Sequence, residues 1–206
     1  MKIRLPLTVV AILSLLAGGC FAERSPEDLT PAQVEVPEGM QTAVLGAGCF
    51  WCMEAFYEGL DGVHEVVSGY ASGEQPNPSY DQVARGETRH AEVVEIIYDP
   101  KAIPYRDLID FFWTTHDATR SDGVWPDFGP QYRSILLYKN EDQKAAIEAS
   151  RQAYEAETGQ TIATEIKPLD TFYPAETYHQ DYARKNPNDR YVCNVLNPKL
   201  EKLGLD

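Results

Sequence analysis

The densest group of reactive residue types in the chain is Gly46-Ala47-Gly48-Cys49-Phe50-Trp51-Cys52. The glycines let the backbone turn sharply after a short apolar strand. Cys49 then falls at or just before the start of a helix, where unpaired backbone N–H groups and the helix dipole favour negative charge. A thiol in that place is expected to be acidified and partly thiolate at neutral pH, as a sulfur nucleophile requires. A buried structural thiol is the plainer alternative, and the flanking glycines and helix start argue against it. Cys49 and Cys52 also make a C-x-x-C pair, and Cys193 lies far downstream.

The elements that must hold this segment can be read from patterning. Thr42 to Leu45 reads as a strand, Trp51 to Glu58 as a helix, and Val63 to Tyr70 as a second strand. Ala91 to Tyr98 is a strand stopped by Asp99-Pro100, and Tyr105 to His116 has helical spacing. Ser134 to Tyr138 reads as a strand, Glu141 to Glu157 as a long helix closed by Gly159, Thr164 to Lys167 as a short strand, and Glu176 to Lys185 as a helix. The order βαββαβαβα implies an α+β fold, a two-layer sandwich with a mixed sheet on a split βαβ (ferredoxin-like) core. The loop from Asp117 to Gln131 is long and rich in Gly and Pro, which marks a functional connection.

Before this domain, residues 1–19 carry Lys2 and Arg4, an apolar run and small residues, the pattern of a secretory signal. Leu16-Ala17-Gly18-Gly19-Cys20 also resembles a bacterial lipobox, with Ala17 where Leu is typical, so Cys20 is expected to carry lipid. Residues 20–40, rich in Pro, Glu and Ser, read as a flexible tether, and residues 41–206 as the catalytic domain. The expected location is therefore exported, in the periplasm or cell envelope, with membrane attachment only through the lipid. Three cysteines remain in such an exported chain, and an odd count points to a free reactive thiol. The formal charge is −14, and removing Lys2 and Arg4 with the signal leaves −16, a surface that repels nucleic acid and anionic headgroups.

Gly48-Cys49-Phe50-Trp51 resembles the signature of the A-type peptide methionine sulfoxide reductases. The similarity runs over about residues 41 to 190 and includes Ser68-Gly69-Tyr70, Asn77-Pro78-Ser79-Tyr80, His90-Ala91-Glu92, Gly129-Pro130-Gln131-Tyr132-Arg133-Ser134 and Tyr178-His179-Gln180-Asp181-Tyr182, in the family's order. The resemblance implies reduction of the S epimer of methionine sulfoxide, free or in oxidised proteins. It assigns Glu92 as the carboxylic acid at the sulfoxide oxygen, Tyr80 and Tyr132 as phenolic donors to that oxygen, Phe50 and Trp51 as the apolar wall for the methyl group, and Asp127 as the group binding the substrate amide. The chemistry agrees with an acid, because attack on the sulfoxide sulfur pushes charge onto oxygen. Alternation alone leaves the choice open: Glu92 shares a face with Val94, Ile96 and Tyr98, and Glu95 with Val93 and Ile97. Only the resemblance prefers Glu92.

Turnover would leave a sulfenic acid on Cys49, which a second thiol condenses with before an external dithiol reduces the disulfide. Cys193 and Cys52 are the candidates. Cys193 is favoured, since many relatives carry recycling cysteines near the C-terminus, although Asn188 to Cys193 lacks their Gly-rich run. The reductant is expected to be thioredoxin-like, with no bound cofactor and no metal. His116 and His179 read as structural or hydrogen-bonding residues, and Glu54 as a solvated position on the first helix. Two other functions compete. A thiol–disulfide oxidoreductase would use Cys49 and Cys52 but leaves Glu92, Tyr80 and Tyr132 without a task. A metal-binding lipoprotein would use Cys49, Cys52 and Cys193 as ligands.

Overall fold

In the computed structural model, residues 31–205 apart from Gln33 are described; the expected signal, Cys20 and the first part of the tether lie outside them. In chain order the elements are β1 (Gln41–Gly46), α1 (Phe50–Glu58), β2 (Val63–Ala71), α2 (Tyr80–Ala84), β3 (Ala91–Tyr98), α3 (Tyr105–Phe112), β4 (Gly123–Val124), β5 (Asp127–Phe128), β6 (Ile135–Tyr138), α4 (Glu141–Thr158), β7 (Glu165–Pro168), β8 (Phe172–Pro174), α5 (Tyr182–Lys185) and α6 (Asn197–Leu203). Six strands form one sheet in the order β7-β6-β1-β3-β2-β8. β3 lies antiparallel between β1 and β2, so β1–α1–β2 is the expected split βαβ unit. β6 flanks β1 antiparallel, and β7 then pairs parallel with β6 after the α4 crossover.

One face of the sheet is covered by helices. Ala43, Leu45, Val66, Val94, Ile96, Tyr98 and Leu136 meet Phe50, Met53, Phe56 and Tyr57 of α1 and Leu108, Ile109 and Phe112 of α3. Each large apolar side chain buried here contributes about 1.5–3 kcal/mol. The other face carries a smaller cluster, Val44, Ala71, Ala91, Val93, Ile135 and Leu137, covered by Leu169 and Phe172. Helix α4 starts at an Asn140 cap whose side chain accepts the Gln143 N–H, and ends at left-handed Gly159.

The structure departs from the sequence expectations in several places: α2 and α6 are helices not read from the sequence, and α3 ends at Phe112 rather than His116. The Asp117–Gln131 loop contains the β4–β5 hairpin. β8 adds an edge strand beside β2. The expected Glu176–Lys185 helix is broken: Thr177–His179 is a 3-10 turn, Gln180 is extended, Asp181 is left-handed with φ 56°, and only Tyr182–Lys185 is helical. Gln180 explains the break. Its side chain accepts the Ser68 N–H at 2.9 Å and donates to the Ser68 and Ala175 carbonyls at 3.0 and 3.1 Å. These tertiary bonds fasten the segment to β2 in a form that a continuous helix could not keep.

Candidate active site

The strand-to-helix turn is compact because two glycines permit it. A Cβ on Gly46 would lie 2.3 Å from the Glu92 carbonyl oxygen, so β1 and β3 approach there without side chains between them. Gly48 has φ +75°, a conformation that L side chains rarely adopt, and its α-carbon faces Val124. Cys49 follows as the N-cap of α1 in extended conformation (φ −66°, ψ 129°). Its position at the helix start is as read from the sequence.

Its environment is different from the expected one. Cys49 is 7% exposed, and its thiol is pushed well up, first by burial, then by the Glu92, Cys52 and Asp127 charges. The expected acidification is therefore corrected. Burial is the larger cause, and a neighbour adds to it: Glu92 Oε2 accepts the Phe50 N–H, the first free donor of α1, at 3.0 Å. That donor serves Glu92, whose carboxyl opposes the thiolate once it is ionised, while the next helix donor, the Trp51 N–H, still bonds the Cys49 sulfur and partly offsets the rise.

Glu92 is 2% exposed and points to the helix-covered face with Val94, Ile96 and Tyr98. Burial raises its carboxyl to about 8, opposed by the Phe50 N–H and reinforced by the Asp127 charge. Glu95, which alternation could not separate from it, lies on the opposite face, where Lys139 Nζ pairs with it at 2.7 Å. Of these two β3 carboxyls, Glu92 is therefore the one on the helix-covered face and without a cationic partner.

Tyr80 and Tyr132 are half-buried and close to this acid. Their phenols are raised chiefly by burial, then by Glu92, and Cys49 acts on both. They stay protonated and are hydrogen-bond donors. The Tyr80 ring stacks on Phe50 with centroids 6.5 Å apart. Phe50 is buried, and Trp51 stacks on Tyr182 with centroids 3.6 Å apart and planes within 5°. Asp127 sits on β5 and accepts the Tyr191 hydroxyl at 2.5 Å. Cys49, Glu92, Tyr80, Tyr132, Phe50, Trp51 and Asp127 therefore share one region.

The second and third thiols differ in placement. Cys52 is the third residue of α1, buried, with its thiol raised to about 11 by burial. An N-cap side chain and the third helical residue lie within mutual reach, as in a capping box. The Cys52 sulfur is also 3.6 Å from the Tyr191 hydroxyl. Cys193 is exposed and its thiol donates to the Pro187 carbonyl at 3.4 Å.

Several supporting residues carry no periodic signal in the sequence. Glu54, read as solvated, is 1% exposed; it accepts Ser68 Oγ at 3.3 Å and the Tyr182 N–H at 3.2 Å. It faces inward on the same side of α1 as Phe50 and Met53, and burial lifts it to about 8. His179 Nδ1 accepts the Trp51 indole N–H at 3.1 Å, which places the proton of the neutral ring on Nε2. Glu176 accepts the Tyr70 hydroxyl at 2.8 Å and the Tyr80 N–H at 2.9 Å. His116 bonds Ser134 Oγ at 2.7 Å and is lowered by burial to about 4, a neutral hydrogen-bonding residue as read.

Known proteins share this chain's sequence and fold. A family model described as peptide methionine sulfoxide reductase matches residues 41–205. The peptide methionine sulfoxide reductase MsrA of Nautilia profundicola is 49% identical over 163 residues, covering 79% of this chain and 94% of that protein. The crystal structure of Mxr1 from Saccharomyces cerevisiae in reduced form aligns with a TM-score of 0.73 and 35% identity, over 78% of this chain and 94% of that one. Mxr1 in complex with Trx2 aligns with a TM-score of 0.54 and 26% identity, over 75% and 94%. With a model match over four fifths of its length and half of its aligned residues shared with a curated relative, the chain belongs to the peptide methionine sulfoxide reductase family.

Proposed function

We propose that this site reduces the S epimer of methionine sulfoxide, free or in oxidised proteins, with Cys49 as nucleophile and Glu92 as proton donor. The observation that carries the reading is Glu92: a carboxyl raised to about 8 at the helix start that also holds Cys49. Such a group is largely protonated at neutral pH and can meet the charge that develops on the sulfoxide oxygen. Tyr80 and Tyr132 donate further hydrogen bonds to that oxygen, Phe50 and Trp51 pack the methyl group, and Asp127 accepts from the substrate amide.

The elevated thiol fits this scheme when the substrate is included. As the free site stands, Cys49 is a weak nucleophile. A sulfoxide sulfur carries partial positive charge, and proton transfer from Glu92 to the oxygen increases it, which favours the thiolate facing it. Cys49 sulfur then bonds to the sulfoxide sulfur. Collapse releases methionine, reduced by two electrons, and leaves Cys49 oxidised to the sulfenic acid, which carries the oxygen.

For recycling, Cys52 condenses with the Cys49 sulfenic acid, forming a disulfide and releasing water. Both sulfurs are buried, so Cys193, the exposed thiol, exchanges onto Cys52, frees Cys49 and presents the resulting disulfide to a thioredoxin-like dithiol. The Tyr191 contact to Cys52 supports this order, since it docks the Cys193-bearing segment against that sulfur. The Mxr1–Trx2 complex supports the class of donor. No bound cofactor is required. We further propose that the domain is exported and lipid-anchored through Cys20, on the strength of the basic start, apolar run and small residues of the first twenty positions; mass spectrometry of the mature N-terminus would reveal the acyl chains.

The test is turnover of each epimer of N-acetyl-methionine sulfoxide methyl ester with dithiothreitol. Methionine release from the S epimer alone, abolished in Cys49→Ser, is expected. A folded protein that turns over neither epimer would overturn the function, and an active Cys49→Ser would overturn the mechanism.

A further inference from the structure

Among the described residues the exposed large apolar side chains are Val36, Trp125 and Phe128. Two of these three sit on the β4–β5 hairpin, on either side of Asp127, at 67% and 49% exposure. Large aromatics left in solvent beside a site are a signature of recognition rather than of packing. They open onto a groove of about 630 Å³ bounded by the end of α3, the hairpin, the end of α4 and α6. Its inner wall includes Val124, which packs on Gly48, the residue before Cys49. Val124 thus sets one wall of the groove against the turn that precedes Cys49, and Asp127 of the same hairpin lies between Trp125 and Phe128.

Its charge runs against that of the whole chain. The chain carries −14, yet the lining holds Arg120, Lys199 and Lys202 against a single carboxylate, Asp117. Asp117 is occupied by the Thr119 backbone N–H and hydroxyl, and Arg120 pairs with Asp122 while lying 5.4 Å from the centre of the Phe128 ring. Lys199 and Lys202 make no ion pair with other described residues.

We propose that this groove binds the extended polypeptide flanking a methionine sulfoxide residue, with Trp125 and Phe128 packing on its apolar side chains and Lys202 and Lys199 recognising an acidic residue within it. The proposal rests on the reductase reading above and adds that the enzyme prefers acidic flanks over basic ones. The aromatics supply contact area at little entropic cost, and the lysines supply steering and register.

The experiment compares kcat/KM of the full-length enzyme, with dithiothreitol as reductant, on N-acetyl-methionine sulfoxide methyl ester and on two matched hexapeptides carrying Glu or Lys after the oxidised residue. At low salt the Glu peptide should exceed the Lys peptide by about tenfold, and 0.5 M salt should erase most of the difference. Lys202→Glu should reverse the preference, and Trp125→Ser with Phe128→Ser should raise KM for both peptides several-fold while leaving the small ester unchanged. Circular dichroism confirms that the variants fold, and the charge reversal provides an independent reading if the aromatic variant does not. Peptide selectivity indifferent to both variants would overturn the proposal. So would variants that alter the KM for a thioredoxin donor and leave the peptides unaffected, since the groove would then serve the reductant. No turnover of the ester by the unaltered enzyme would instead overturn the reductase reading itself.

Discussion

Glu92 accepts the Phe50 N–H at 3.0 Å and so occupies the helix end at which Cys49 is the N-cap residue. The acid reaches the turn that carries the nucleophile, and its charge makes the Cys49 thiol harder to ionise, second to burial. Glu92→Gln preserves the acceptor for Phe50 while removing the proton donor and the negative charge. Its kcat should fall by about 10²- to 10⁴-fold, the usual value of a positioned general acid. Its Cys49 should at the same time titrate lower, read as faster iodoacetamide alkylation at pH 7–8. The coupling would be refuted by an alkylation profile identical to that of the parent enzyme.

The same carboxyl sets a pH dependence for turnover. Proton donation by Glu92 requires the acid form, which is lost as pH rises through about 8. In single-turnover experiments with excess substrate, the rate of methionine formation should decline on the alkaline side with that midpoint, and Glu92→Gln should remove the decline. A rate that climbs steadily to pH 10 would mean that thiolate formation alone limits the step.

Glu54 and Glu92 make a second, thermodynamic prediction. Both have ordinary values near 4.5 when unfolded and about 8 when folded. Between these values the folded state binds more protons than the unfolded one, so stability is greatest below about pH 4.5 for this pair and diminishes as pH rises to 8. Other groups titrate in the acid range, so the comparison is with Glu54→Gln, which keeps an acceptor for Ser68 and Tyr182 and should flatten the fall in Tm between pH 5 and 8. An unaltered slope would show that Glu54 does not carry a raised value.

These two glutamates also show how far the sequence could be read. The split βαβ core followed from alternation and helical spacing, since β1, α1, β2 and β3 form from contiguous segments with matching periods. The helix-start position of Cys49 followed from its glycines. Which of Glu92 and Glu95 faces the helices did not, because alternation assigns faces without saying which face the helices cover. The thiol's pKa shift had the wrong sign chiefly because the turn is buried by tertiary packing, and because Glu92, which adds to the rise, comes from β3, over forty residues away. Glu54 was read as solvated because a nine-residue helix buried on several sides hides its faces. The break after Glu176 was invisible because Gln180 is committed to β2, over a hundred residues earlier in the chain.

Trp51 depends on His179 in a way that a test can isolate. The indole N–H has its acceptor in Nδ1, and the ring is clamped on the far side by Tyr182. His179→Phe keeps the ring volume and removes the acceptor, leaving the indole N–H unpaired at a cost of about 1–3 kcal/mol. The expected result is a shift in tryptophan emission and a loss in kcat/KM for the small sulfoxide ester, with His179→Asn recovering part of both. An unchanged emission spectrum with undiminished activity would remove Trp51 positioning from the role of His179.

The placement of the three thiols separates two routes of recycling. Cys52 shares a helical turn with Cys49, whereas Cys193 is at the surface. If Cys52 condenses first, Cys193→Ser treated with one equivalent of sulfoxide should still lose two thiols and form one disulfide, since the buried pair closes without it. Cys52→Ser should instead leave a sulfenic acid on Cys49 that dimedone labels after a single turnover. Both variants should retain dithiothreitol-driven activity, because a small dithiol reaches the sulfur directly, and both should fail with thioredoxin. The decisive measurement is the dimedone adduct. Its absence in Cys52→Ser, together with a Cys49–Cys193 disulfide found by peptide mapping, would place the first condensation at the exposed thiol and require the C-terminal segment to fold over the site, breaking the Tyr191 bond to Asp127.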